Sequence, residues 1–217
     1  MAEYHGPTPV ATVERLSVYL RTLQEAKKEG KEFISSIQIG NRNGFTSAQV
    51  RKDLSCFGNF GRKGKGYHID TLISSLRNIL GLGKKWKVAL MGLGNLGEAL
   101  AGHKGFQKSG FDIVAIFDID TEKIGTKYKD IPVYHPEKLS EIAGKENIEI
   151  AIIAVPNSAA KKSIQRVVDA NIKGILNFTN VRLPLEKEFV MKNINLASEL
   201  ETISYYLTHP DRICRGV

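Results

Sequence analysis

The stretch WKVALMGLGNLGEALAGHKGFQKSGFDIVAIFDID, Trp86 to Asp120, decides how the chain folds. An apolar run, Val88 to Met91, leads into Gly92-Leu93-Gly94-Asn95-Leu96-Gly97, and a helix-like run, Glu98 to Ala101, follows. A second apolar run, Ile113 to Phe117, ends in Asp118, about 20 residues past the last glycine. A G-x-G-x-x-G turn between strand and helix, with a distal acid, is the pattern of a dinucleotide site. Gly92 allows the tight turn, Gly94 admits a pyrophosphate, and Gly97 lets the helix pack on the strand. The helix N-terminus offers unpaired N–H groups and a positive dipole end to phosphates. An acid at Asp118 accepts hydrogen bonds from both ribose hydroxyls and repels a 2′-phosphate. The cofactor reading is therefore NAD(H) rather than NADP(H).

Downstream, strand and helix patterns alternate, which predicts a parallel sheet. Strands are expected near 86–91, 112–117, 131–134, 149–154, 173–178 and 189–192. Helices are expected near 95–103, 136–143 and 158–170. Ligands in such sheets sit outside the carboxyl ends of the strands. Ala154-Val155-Pro156 ends one strand and Asn177 another, so these residues join the cofactor-site candidates.

Upstream lies a different kind of sequence. Thr8-Pro9 reads as the cap and start of a helix over about 9–29, with Val13, Leu16, Leu20 and Leu23 at helical spacing. Ser35-Ser36 caps a short second helix that ends in Asn41-Arg42-Asn43-Gly44. Thr46 or Ser47 caps a third, whose buried face is Val50, Leu54 and Phe57 and whose other faces carry Ser47, Gln49, Arg51 and Lys52. Two short helices around an Asn/Gly turn have helix-turn-helix proportions, in which the start of the second helix meets base edges. Phe60 to Tyr67 follows, with three glycines and the cations Arg62, Lys63 and Lys65, suited to a β-hairpin wing along a phosphate backbone. Asp70 is expected to cap a fourth helix, and Gly81 to Lys84 form a linker.

Charge agrees with this division. Residues 1–84 hold 13 Lys and Arg against 7 Asp and Glu, whereas residues 85–217 hold 18 against 16. A basic front half points to a polyanion partner, double-stranded DNA in this reading. No apolar run reaches the 18 to 20 residues needed to span a bilayer, and no secretory signal is visible at the start. Cys56 and Cys214 stand far apart, so neither a disulfide scaffold nor a metal site is expected, and a reduced, cytoplasmic protein is.

Enzyme function is weighed against regulation. A dehydrogenase needs a general acid or base near the nicotinamide and usually a substrate domain. Of five histidines only His103 lies near the glycine motif, and the second domain is the basic head. No catalytic residue is assigned. The chain closes with NLASELETISYYL, in which Leu196, Leu200, Ile203 and Leu207 form a stripe that is expected to meet a second subunit.

The motifs SAQVRKDLS (47–55), FGNFGRKGKGY (57–67), LGLGKKWKVALMGLGNLGEAL (80–100), KGILNFTNVRL (173–183) and the closing LASELETISYYL together resemble the Rex family of NADH-sensing bacterial repressors. The resemblance runs from about Val10 to Leu207. It implies an α/β protein with a winged-helix domain (1–82), a Rossmann-type parallel-sheet domain (85–193) and a C-terminal helix and tail (195–217) swapped between the subunits of a homodimer. It implies a repressor of palindromic operators that lets go when NADH binds. Carried over by position, Ser35, Ser47, Gln49, Arg51, Lys52, Arg62, Lys63 and Lys65 match the DNA-contacting elements. Gly92 to Gly97, Asp118, Ala154 to Pro156 and Asn177 match the nucleotide site. Two positions depart from the family. Asn195 stands where an aspartate is common, and His103 where a tyrosine is usual; in relatives that acid pairs alternately with the tyrosine and with an arginine, here Arg21. A paralogue with a weakened NADH response is thus the alternative, ahead of a small NAD-dependent oxidoreductase. Cys56, where a tyrosine is usual, is expected to be buried beside the recognition helix.

Overall fold

The computed structural model describes residues 8–62 and 64–212. The chain divides into two compact units, one running to Gly83 and the other spanning Lys84–Thr208.

The first unit is a winged helix. Helix α1 spans Val10–Lys28 and is followed by strand β1 (Phe33–Ile34), α2 (Ser36–Asn43), α3 (Ser47–Ser55), β2 (Gly61–Arg62), β3 (Gly66–His68) and α4 (Ile69–Ile79). Leu16, Tyr19 and Leu23 on α1, Ile39 on α2, Val50 on α3 and Leu76 on α4 are wholly buried in one core. Side chains of this size contribute about 1.5–3 kcal/mol each by leaving water. The three short strands form an antiparallel sheet in the order β1-β3-β2. Strand β1 is too short for sequence periodicity to mark. Gly66 is required where the wing returns: its φ is +83°, and a Cβ there would stand 2.5 Å from the Ile34 carbonyl oxygen.

Two expected caps lie elsewhere. Pro9, not Thr8, holds the N-cap of α1, and its carbonyl receives the N–H groups of Thr12 and Val13. His68, not Asp70, caps α4 by accepting the Thr71 N–H, because β3 runs directly into the helix. Asp70 instead sits in the first turn, paired with Lys27 at 2.6 Å.

The second unit opens with β4 (Trp86–Met91), α5 (Asn95–Ala101), α6 (Lys104–Lys108), β5 (Phe111–Phe117), β6 (Lys127–Tyr128) and β7 (Ile131–Tyr134). It continues with α7 (Leu139–Glu146), β8 (Ile150–Ile153), α8 (Asn157–Asp169), β9 (Gly174–Asn177), β10 (Val190–Asn193) and α9 (Leu196–Thr208). Sheet order is β10-β9-β8-β4-β5-β7-β6. The six strands other than β6 run parallel, in the doubly wound order. The order reverses between β4 and β8, and a crevice opens above their carboxyl ends. Leu90, Met91, Ile116 and Ile153 are buried at 0–1% exposure, which explains why these strands read as unbroken apolar runs. The small additions α6 and β6 were not evident from periodicity. Helix α9 buries none of its residues: Leu196, Leu200, Ile203 and Leu207 are all more than half exposed.

Candidate functional site

The glycine turn lies at the strand-order reversal. Gly92 has φ +98°, and a Cβ there would sit 2.5 Å from the Ala154 carbonyl oxygen, on the strand end next door. At Gly97 a Cβ would stand 2.1 Å from the Gly92 carbonyl oxygen, so helix α5 closes on the turn only without a side chain. Gly94 differs: nothing lies within 4 Å of where its Cβ would be. Two glycines are thus demanded by packing, and the third fronts open space at the N-cap of α5. Leu93 is buried, while Asn95 and Leu96 are exposed beside Gly94.

Asp118 is tied to this turn. One carboxylate oxygen accepts the Leu93 N–H at 2.6 Å, and the other accepts the Asp120 N–H at 2.9 Å. Each oxygen keeps a lone pair for a further donor. Lys123 completes the hold, donating from Nζ to the Leu93 carbonyl at 2.9 Å.

Gly92, Gly94, Asp118, Ala154, Val155 and Pro156 line one cleft of about 440 Å³. The cleft also takes in Ile119, Lys123 and Pro136, and Ala159, Lys162, Ser163 and Arg166 of α8. Sequence reading missed these. The signal was present in α8, where 159, 162, 163 and 166 share one helical face.

Asn177, at the end of β9, is not among the residues that line this cleft. It is wholly buried, its amide donates to the Val181 carbonyl and Asn193 Oδ1, and its oxygen accepts from the Thr179 N–H and hydroxyl. All four of its hydrogen-bonding positions are filled. It knots the loop after β9 to the end of β10.

In the first unit, Ala48, Arg51, Lys52 and Ser55 are the exposed residues of α3, while Ser47 is half-buried. Arg51 donates to the Ser36 hydroxyl at 3.2 Å, and Ser35 caps α2 in a reciprocal box with Gln38. Gln49 is half-buried. Its amide donates to Asp53 at 2.8 Å, within a buried cluster where Arg15 grips the same carboxylate at 2.6 and 2.7 Å and Tyr19 donates at 2.8 Å. Burial pushes the Asp53 carboxyl up, but the hydrogen bonds from Arg15, Tyr19 and Gln49 outweigh it and hold the group below the usual carboxylate range. Gln49 helps fix α3 on α1.

Arg62 and Lys65 stand exposed on the wing, and Lys63 lies outside the described residues. A groove of about 550 Å³ runs between α3 and the wing, lined by Ser35, Arg51, Ser55, Arg62 and Lys65 over Leu54 and Tyr67. Cys56 borders α3 as its C-cap but is only half-buried rather than buried; its thiol donates to the Lys52 carbonyl. Arg21, His103 and Asn195 are exposed. The His103 ring meets Phe106 edge to face at 4.9 Å, and Asn195 Oδ1 accepts the Ala197 N–H at the start of α9. Among the described residues no cluster of His, Cys, Asp and Glu is fit to hold a metal, and no helix is long and apolar enough to cross a membrane.

Comparison with known proteins follows the same division. Residues 8–55 match the family described as putative DNA-binding protein N-terminus, and residues 83–181 the family described as CoA binding domain. The chain is 42% identical over 203 residues to a redox-sensing transcriptional repressor Rex of Pelotomaculum thermopropionicum, covering 94% of this chain and 95% of the relative. It is similar to the crystal structure of RSP in complex with β-NAD+ and operator DNA, with a TM-score of 0.89, 35% identity and 95% of each chain covered. RSP in complex with β-NADH gives a TM-score of 0.85 at 33% identity, over 95% of this chain and 97% of that one.

Proposed function

The chain belongs to the Rex family of redox-sensing transcriptional repressors, and we propose that it binds operator DNA through its winged helix and releases it when NADH occupies the cleft above Gly94. The observation that carries this reading is the pairing, on one chain, of an open glycine at a strand-order reversal and a cationic groove beside an exposed helix. The Gly94 turn fits a pyrophosphate, since open space fronts the N-terminus of α5 there and no side chain caps it. Asp118 fits a ribose that carries no phosphate. The bound dinucleotide supplies a redox-dependent ligand; the chain supplies the grip.

The protein acts in this reading as a regulator and not as an enzyme, in the compartment that holds the DNA. Arg51, Lys52, Arg62 and Lys65, with Lys63 between them in sequence, meet phosphates and base edges. The partner that two-fold operators call for is a second copy of the chain, and the exposed stripe of α9 is the surface it would cover. Coupling between ligand and operator in such switches is typically about 1–3 kcal/mol, a 5- to 150-fold change in affinity.

A weaker response is the second reading, favoured by two specific contacts. Asn195 spends its oxygen on capping α9, and His103 leans on Phe106. Titration of a palindromic duplex with and without NADH tests both. A several-fold loss of affinity with NADH supports the sensor, and equal affinities support the weakened paralogue.

A further inference from the structure

Asp53 is a carboxylate at a position where the helix pattern calls for an apolar side chain. It stands with Val50 and Leu54 on the buried face of α3 and is 2% exposed. Four hydrogen bonds of 2.8 Å or less converge on it. Arg15 gives two, one to each oxygen, and Tyr19 and Gln49 give one each. A buried ion pair roughly breaks even against apolar side chains of similar volume, so stability alone does not account for it. What it adds is direction. Apolar burial is not directional, whereas a forked guanidinium fixes the plane of the carboxylate it holds.

The partners come from one face of α1. Thr12, Arg15, Tyr19 and Thr22 follow one another at helical spacing; Arg15 is half-buried and the other three are buried. Thr22 exchanges hydrogen bonds with Asn43 at the end of α2. Helix α1 thus holds both helices of the helix-turn-helix by polar contacts, α2 through Thr22 and α3 through Asp53. Tyr19 makes two of these connections. Its hydroxyl donates to Asp53 at 2.8 Å, and its ring meets Phe45, in the turn between α2 and α3, edge to face at 5.9 Å. Burial, with the hydrogen bond to Asp53, raises the phenol above its usual value, so it remains a donor. Tyr19 is wholly buried and cannot itself touch DNA.

Arg51 and Lys52, exposed on α3, directly precede Asp53. Side-chain ends lie about 5–6 Å from a helix axis, so a rotation of about 20° would carry them through about 2 Å. That is enough to break a hydrogen bond to a base edge. Phosphate contacts carry no sequence information, and a long flexible cation still reaches them.

We propose that Tyr19 is a positioning residue for operator recognition: its hydroxyl on Asp53 and its ring on Phe45 set the rotation of α3, and with it sequence discrimination rather than general affinity for DNA. This rests on the operator reading above and adds to it a residue that acts only through α3.

The test compares wild type, Y19F and T22V. Each is titrated with a palindromic duplex selected by the wild type from a randomised pool, and with a scrambled duplex of the same length and composition. Y19F keeps the ring on Phe45 and removes only the hydroxyl. T22V removes a buried hydroxyl from the same face of α1 that holds α2 instead, so it controls for general loosening. One hydrogen bond of ordinary strength corresponds to about a 3- to 10-fold change. Y19F should therefore weaken the selected duplex by at least about 3-fold and the scrambled one by less than about 2-fold. T22V should leave the ratio of the two affinities within about 2-fold of wild type. The proposal is overturned if Y19F binds the selected duplex as tightly as wild type, if it loses both duplexes equally, or if T22V shifts the ratio as far as Y19F does. A wild type that enriches no duplex over the scrambled one would instead overturn the operator reading itself, and this proposal with it.

Discussion

Asp118 accepts the backbone N–H of Leu93 at 2.6 Å, across a sequence separation of 25 residues, so the acid at the end of β5 is a strut of the glycine turn as well as a candidate ribose ligand. Substitution therefore has two effects at once. Asp118→Ala should weaken NADH by about 2–3 kcal/mol, roughly 30- to 150-fold, through lost hydrogen bonds to a charged acceptor. It should weaken NADPH much less, since a repelling charge is removed. Fluorescence titration with both cofactors checks the ratio; an unchanged ratio would mean that the ribose is held elsewhere.

The three glycines of the turn should separate cleanly. Gly97→Ala places a methyl 2.1 Å from the Gly92 carbonyl oxygen and should unfold the second unit or force α5 off the sheet. Gly94→Ala meets nothing in the protein, so its melting temperature should stay within a few degrees, corresponding to about 0.5 kcal/mol. Its NADH affinity should fall at least about tenfold, because the methyl occupies space meant for phosphate.

Arg15→Met should cost about 3–5 kcal/mol in urea unfolding, the usual penalty for leaving a buried carboxylate without its partner. Acid sensitivity should change with it. Asp53 titrates below its unfolded value, so the stability it confers is present above about pH 4 and is lost as pH falls through the folded value. Glu29, held at about 2 by hydrogen bonds from Arg42 and Lys31, acts in the same direction at the surface. Wild type should lose stability between about pH 4 and pH 2, and Arg15→Met should have lost the Asp53 part of that slope already.

Lys52→Ala and Arg62→Ala should each weaken operator binding across all sequences and make the plot of log affinity against log salt shallower by about one unit. Both side chains are exposed, on α3 and on the wing, so neither change should disturb folding. A salt slope equal to wild type would remove that residue from the phosphate contacts.

Asn195→Asp should enlarge the NADH effect on DNA binding. The carboxylate keeps the capping acceptor that Ala197 uses and adds a charge able to pair with a cation. Operator titrations with and without NADH measure the change; an identical ratio would take Asn195 out of the switch.

How far the chain was legible in advance depended on whether a residue's role is local. The parallel sheet and its glycine turn could be read because buried strands are apolar throughout and because the G-x-G-x-x-G pattern is dictated by close backbone approaches. The intramolecular partners of Gln49 and Asn177 were not legible, for one shared reason. Each is a polar residue at an element end, where ligand and protein compete for the same amide, and its partner lies either one helical turn away at Asp53 or in a loop and strand that no periodicity connects to it. The caps at Pro9 and His68 show the usual one- or two-residue drift of helix starts.

Helix α9 carries a consequence for handling the protein. None of its thirteen residues is buried, and helices of that length are marginal in water. If a second copy covers it, as proposed above, its order is a function of concentration: dilution should melt this terminal segment first, seen as a partial loss of far-ultraviolet ellipticity well before either compact unit unfolds. On that proposal, the amount of protein synthesised becomes part of how the switch is set.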